Sequence, residues 1–221
     1  GNAIQTGFKI PLTFRNGLWY DKLNITLGGK WEQNNALQEQ IPFTQFSWAH
    51  FRVKTYRDAE SRKGFFLSGS YRYGLTTSSG QAAIYTEGRI PGLFKHDVLK
   101  ARYRLVNRTG AYVFPAVSPV IRGHNLFNFN TLHNAELEWH SNLFYPDAGI
   151  KRIFFLKRVR MKTIFAFSQA DIGTFQSYNL QLIGDWNFFG FPVELPLGFQ
   201  ISYIMPLKKW SYSWVIMQVV F

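Results

Sequence analysis

Between positions 191 and 205 the chain alternates with a period of two. Phe191, Val193, Leu195, Leu197, Phe199, Ile201, Tyr203 and Met205 share one parity, while Glu194, Gly198, Gln200 and Ser202 fall on the other. Successive side chains of a strand point to opposite faces, so this segment is greasy on one side and polar on the other. The pattern returns in the opposite parity at 178–188, where Tyr178, Leu180, Leu182, Trp186 and Phe188 oppose Asn179, Gln181, Asp185 and Asn187. It returns with charge at 99–105, where Leu99, Ala101, Tyr103 and Leu105 alternate with Lys100, Arg102 and Arg104. Segments 65–73 and 134–145 repeat it, the second placing Glu136, Glu138 and His140 on its polar side. With 6–14, 18–31, 43–57, 82–91, 161–171 and 211–221, the reading is eleven strands. Short polar connections such as Arg15-Asn-Gly17 and Thr77-Ser-Ser-Gly80 suit hairpins between neighbours, hence a meander. Two longer connections, 114–133 and 146–160, are candidates for functional loops.

The charge balance needs a solvent to match. There are 25 Lys+Arg against 13 Asp+Glu, a formal net charge of +12, and 18% of residues are aromatic. Nucleic acid could use both features, but a single-strand groove interleaves cations and rings on one surface, and here they take opposite strand faces. A bilayer outside and a watery, charged lumen inside accommodates that separation. His50, Arg52 and Lys54 join Lys100, Arg102 and Arg104 as a basic lumen lining, either ligand-selective or simply the polar coat of a wet interior. Tyr20, Trp19, Trp31, Tyr73, Tyr145, Trp186, Trp210, Tyr212 and Trp214 fall near strand ends, where interfacial girdles put rings.

No stretch approaches the roughly 20 apolar residues of a membrane helix, whereas a barrel strand needs only about 9–11. The chain has no cysteine, which excludes disulfides and thiolate metal sites. His50, His96, His124, His133 and His140 lack metal-ligand spacing, and no serine sits in a G-x-S-x-G elbow. The expectation is a non-enzymatic protein without cofactor or metal. It is a single all-β domain over 1–221, a transmembrane antiparallel up-and-down β-barrel, with a soluble nucleic-acid binder as the rival.

The last segment runs Trp210-Ser-Tyr-Ser-Trp-Val-Ile-Met-Gln-Val-Val-Phe221. Its aromatic end resembles the C-termini of bacterial outer-membrane barrels. That resemblance implies an outer-membrane location, a lipopolysaccharide-containing bilayer as surroundings, and barrel-assembly machinery that reads Trp214, Val215, Met217, Val219 and Phe221. A period of two puts these last four on one strand face. An odd strand count also suggests that N-terminal strands are missing and that the chain is the C-terminal part of a 16-stranded barrel. With Phe221 at the periplasmic side, loop 114–133 would lie outside the cell and 146–160 in the periplasm.

Within the first long loop, Val120-Ile121-Arg122-Gly123-His124 resembles the V/I-R-G-F/Y element of the BamA/TamA insertase superfamily, the bacterial surface antigen family. Five strands then lead to the terminal phenylalanine, as in that family, and upstream stretches such as Pro91-Gly-Leu-Phe-Lys-His96 look like its Bacteroidetes barrels. The resemblance implies a loop folded back into the lumen with Arg122 at its tip, and a guanidinium taken from bulk water needs an acceptor. The family supplies an acid from an F-x-D element; the matching stretch here reads Phe165-Ala-Phe-Ser-Gln169, with Gln169 at the acid's place. Glu136, Glu138 and Asp171 are the substitutes. The family pattern turns Phe165, Phe167 and Gln169 inward, while residue size alone turns Met161, Thr163, Phe165 and Phe167 towards lipid. The implied function is assistance in inserting or translocating protein clients, with the final strand as a seam; a passive pore or an anchor for partners is the alternative.

Overall fold

The computed structural model describes residues 2–34, 37–53, 60–110, 129–146, 148–150, 153–189, 195–205 and 207–216. Its strands are β1 (Asn2–Asn16), β2 (Trp19–Asn34), β3 (Leu37–Arg52), β4 (Gly64–Gly74), β5 (Ser79–Pro91), β6 (Val98–Thr109), β7 (Thr131–Phe144), β8 (Ala148–Ile150), β9 (Phe154–Ala170), β10 (Gly173–Phe188), β11 (Leu195–Ile204) and β12 (Lys209–Ile216). They form one antiparallel sheet in the order β1-β2-β3-β4-β5-β6-β7-β9-β10-β11-β12, with β8 paired to β9. This is the eleven-strand meander that the alternation predicts. The addition is β8, three exposed residues inside the expected connection 146–160; that connection also shortens because β9 begins at Phe154. No described residue is helical, and no helix is long and apolar enough to cross a membrane.

Tight reversals set the register. Gly17, at φ +58°, makes the β1–β2 turn, so Asn16 pairs Trp19 and the ladder runs unbroken to Asn2 opposite Gln33. Gly64 opens β4 at φ +143°, and a Cβ there would lie 2.3 Å from the His50 carbonyl oxygen; only glycine fits that approach. Irregularities occur between Asn142 and Phe144 against β9, and between Asp185 and Trp186 against β9, where bulges re-aim the following side chains.

Following one rung across the sheet separates its faces. Lys22, Ala49, Phe66, Glu87, Arg102, Glu136, Ala166 and Ser177 are successive partners on one face. Leu23, Trp48, Leu67, Thr86, Tyr103, Ala135 and Phe167 are the adjacent rung, on the other. Burial then runs opposite to that of a water-soluble sheet. Gln81, Lys100, Glu138, Asn179 and Asp185 on the polar face are buried, while Leu27, Leu137, Tyr178 and Leu180 on the apolar face are exposed. The buried apolar cluster is small: Val106, Phe129 and Leu132, flanked by Ala83, Ala170 and Phe175, at one end of β6 and β7. β1 and β12 end the sheet, and no ladder joins them among the described residues. Every residue from Ala3 to Leu18 is exposed, which leaves β1 as an uncovered edge strand.

Candidate functional site: a charged layer on the polar face

The strongest chemistry lies where β5, β6, β7 and β9 run side by side. Period two puts Glu87 and Arg89 of β5, Lys100 and Arg102 of β6, Glu136, Glu138 and His140 of β7, and Lys162 of β9 on one face. The register then sets Arg102 between Glu87 and Glu136, and Lys100 opposite Glu138. The Arg102 guanidinium donates to Glu87 (Nε to Oε2, 2.8 Å), Glu138 (Nη1 to Oε1, 2.5 Å) and Glu136 (Nη1 to Oε2, 3.4 Å). Glu138, completely buried, also meets Lys162 Nζ at 3.2 Å, His140 Nε2 at 2.8 Å and Lys100 Nζ at 4.0 Å. Glu87 accepts from Arg89 Nε at 2.5 Å and from the Tyr85 hydroxyl at 2.9 Å. Buried charges are tolerable only when paired and hydrogen-bonded in this way.

A residue outside the strands completes the layer. Glu60, in the connection from β3 to β4, reaches Lys100 on β6, Arg89 on β5 (3.3 Å) and His140 Nδ1 on β7 (3.4 Å). Burial pushes its carboxyl up, but Lys100, His140 and Arg89 outweigh that and hold it below the ordinary carboxylate range. Beside it, the Ser61 hydroxyl donates to the Arg52 carbonyl, fastening the connection to the end of β3. A second pairing joins Arg158 and Arg160 of β9 to Asp185 of β10, the latter at 2.6 Å. Towards β11 the polar face becomes neutral: Gln181 donates to Gln200 (2.6 Å), and Ser202 donates to Asn179 (2.7 Å).

The other expected site residues divide clearly. Lys100, Arg102 and Arg104 share the polar face with Glu136 and Glu138, and Arg104 stacks over Tyr85 at 5.3 Å. Arg52 does not join them. It pairs with Trp19 on the face of Phe46 and Trp48, because β3 carries its inward parity at Glu39, Ile41 and Phe51. His50 shares that outward face, stacked on Trp19 and 2.7 Å from Asp21. Tyr20, expected in an interfacial girdle, turns to the polar face beside Phe51.

On β9 the structure puts on the apolar face the parity that residue size picks out. Phe165 pairs with Leu137 and Tyr178 on the apolar face, and Ile164, Ala166 and Ser168 are buried on the other. Gln169 therefore faces outward with Phe167, not inward as the family pattern implied. Asp171 sits in the β9–β10 turn and accepts from the Asn130 amide at 2.9 Å. Trp214 pairs with Phe199 on the apolar face, which puts Val215 on the polar face beside Ser213 and away from the expected apolar run. Lys54, the loop Val120-Ile121-Arg122-Gly123-His124, and Met217, Val219 and Phe221 lie outside the described residues.

Sequence reasoning missed Glu60, Glu87 and Arg89. The i, i+2 pair Glu87/Arg89 beside Tyr85 was the available signal; Glu60 had none, since a loop carboxylate shows no period. It also missed buried Glu39, whose carboxylate accepts from the amides of Thr76 (2.8 Å) and Thr77 (3.2 Å) and so caps the β4–β5 turn. Among the described residues no group of three or more acidic, histidine or cysteine side chains is placed to hold a metal. Compared with known proteins, the chain matches no protein-family model and no curated protein.

Proposed function

We propose that the chain is the wall of a bacterial outer-membrane β-barrel, its apolar face against hydrocarbon and its charged layer lining the interior. The observation that carries this is the inverted burial: Lys100 and Glu138 are 2% and 0% exposed, whereas Leu137 and Leu180 are 54% and 42% exposed. A sheet in water would reverse those values. Fractionation tests it: the protein should sediment with outer membranes and need detergent to disperse. Free dispersal in buffer refutes it.

Within that setting, the barrel assists insertion or translocation of proteins, as the resemblance of Val120–His124 and of the five following strands to the surface-antigen insertases implies. One feature supports the reading: among the described residues the sheet ends at β12, and the neighbouring polar face between β10 and β11 is held by neutral hydrogen bonds, while ion pairs concentrate on β5 to β10. An edge with open donors and acceptors can template a client strand. A cysteine introduced into β12 and one into the first strand of the barrel meet no native thiol among these 221 residues, so a crosslink between them is clean. Locking the two strands should stop assembly of a client barrel in vitro, and unchanged assembly refutes the seam.

A second reading, a passive anchor or plugged pore, is favoured by the charged layer itself, in which Glu60 spans three strands of the polar face. Client assembly absent from a folded, membrane-inserted protein supports this reading, and planar-bilayer conductance then separates pore from anchor.

A further inference from the structure

One stretch of the polar face carries rings. Tyr20, Phe51, Phe66 and Tyr85 step diagonally over β2, β3, β4 and β5, on the side opposite to the greasy one. Tyr20 packs against Phe51 with centroids 6.0 Å apart, and Phe66 against Tyr85 at 5.7 Å. Phe51 is buried, with the Arg89 guanidinium 4.3 Å from its ring centre, and so acts as a support. Tyr20 and Phe66 are only half-buried. Between them Ala49 is the short side chain of its rung, flanked by Lys22 and Phe66, and the face dips there.

The groups around this dip lack partners. Lys22 and Arg15 are exposed, and among the described residues neither meets a carboxylate, whereas Lys100, Arg102 and Lys162 in the charged layer all do. One rung along, Asn24 Nδ2 donates to Ser47 Oγ at 3.1 Å, and Asn24 Oδ1 is buried with no donor. Turning the amide over would leave Nδ2 unpaired instead. A ligand hydroxyl satisfies either arrangement, because it both donates and accepts. Ser68, opposite Ser47, extends the row of hydroxyls.

Resting on the membrane-wall reading, which makes this face the watery interior, we propose that the dip over Ala49 is a binding site for an acidic oligosaccharide. Its sugar rings lie against Tyr20 and Phe66, which sit two strands apart, about 10 Å across the ladder, a separation that a short oligosaccharide spans. Its hydroxyls meet Asn24, Ser47 and Ser68, and its carboxylates meet Lys22 and Arg15. Three kinds of group that a charged sugar needs are thus gathered within three successive rungs. A single strand of nucleic acid fits less well. Successive bases stack on ring faces, and here the two ring pairs are tilted by 50° and 59°.

The test is calorimetric titration of the whole chain in detergent micelles with trigalacturonate, maltotriose and a short oligothymidylate. Trigalacturonate should bind saturably and about tenfold or more tightly than maltotriose. Phe66→Leu, which keeps bulk and removes the ring, should weaken it about tenfold. Phe65→Leu, the next residue but on the apolar face, should leave binding unchanged. Lys22→Gln, at an exposed position, should reduce the preference for the acidic sugar and its salt dependence while maltotriose binds as before. No saturable sugar binding by a folded, detergent-dependent protein overturns the site while the wall reading stands. So does an equal effect of Phe65→Leu and Phe66→Leu, or tighter binding of oligothymidylate than of either sugar. Dispersal without detergent overturns the wall reading, and with it the interior placement of this face, whatever the titration shows.

Discussion

Replacing Glu138 by glutamine removes one negative charge from a fully buried position while preserving shape. Around it, Arg102, Lys162, His140 and Lys100 lie at 2.5, 3.2, 2.8 and 4.0 Å. Breaking a buried ion pair on one side costs about 3–5 kcal/mol, because the partner charge stays behind. Here Arg102 keeps Glu87 and Glu136, and Lys100 keeps Glu60, so the lower end applies, about 3 kcal/mol. Urea unfolding in micelles, followed by tryptophan fluorescence, should therefore move to a lower midpoint. Adding Lys162→Met removes a cation along with its carboxylate, and the double variant should be more stable than the sum of the single losses by about 1 kcal/mol or more. If Glu138→Gln shifts stability by less than about 0.5 kcal/mol, the layer behaves like a solvated surface pair and the argument from burial fails.

Leu137→Arg, at an exposed apolar-face position, should cost about 2–4 kcal/mol in a bilayer, whereas Gln45→Arg on the polar face should stay within about 0.5 kcal/mol; equal effects in a lipid-based unfolding assay would contradict the assignment of faces. Glu60 is held below its ordinary pKa of 4.5, so its contribution is complete above that value and is lost as pH falls through the lower folded-state value. Unfolding midpoints compared between about pH 7 and about pH 3 should drop for the native chain, and Glu60→Gln should flatten that acid limb. Gly64→Ala forces a Cβ against the His50 carbonyl at φ +143° and should destabilise by about 1–3 kcal/mol, read as a lower unfolding midpoint.

Strand number, order and most facings could be read from the sequence because a period of two is local: Leu99 to Leu105 announces its own faces. It fails where both parities are greasy. β3 carries Phe46 and Trp48 on one face and Ile41, Phe43 and Phe51 on the other, so counting charges there assigned Arg52 to the wrong side. On β9, Ile164 is buried among polar neighbours while Phe165 is outward; the register with Leu137 settles this, and the composition does not. The charged layer was half visible, as Lys100, Arg102, Glu136 and Glu138 on one parity. Which acid meets which base depends on pairing between strands, and Glu60 enters from a connection that no periodicity describes. β8 is too short and too exposed to leave a signal.

The small size of the Val106–Phe129–Leu132 cluster bears on how such a chain reaches its final form. A polypeptide whose greasy side chains finish outermost gains nothing from squeezing water out of a centre, so collapse during transit would bury the wrong residues. If, as proposed, a bilayer is the final solvent, a chaperone would have to keep the chain open until it arrived, and the shape would emerge together with entry into lipid. The strand order suits that timing: nearly every strand docks beside its immediate predecessor, so each newcomer zips onto an edge already in place and no distant segment has to be awaited.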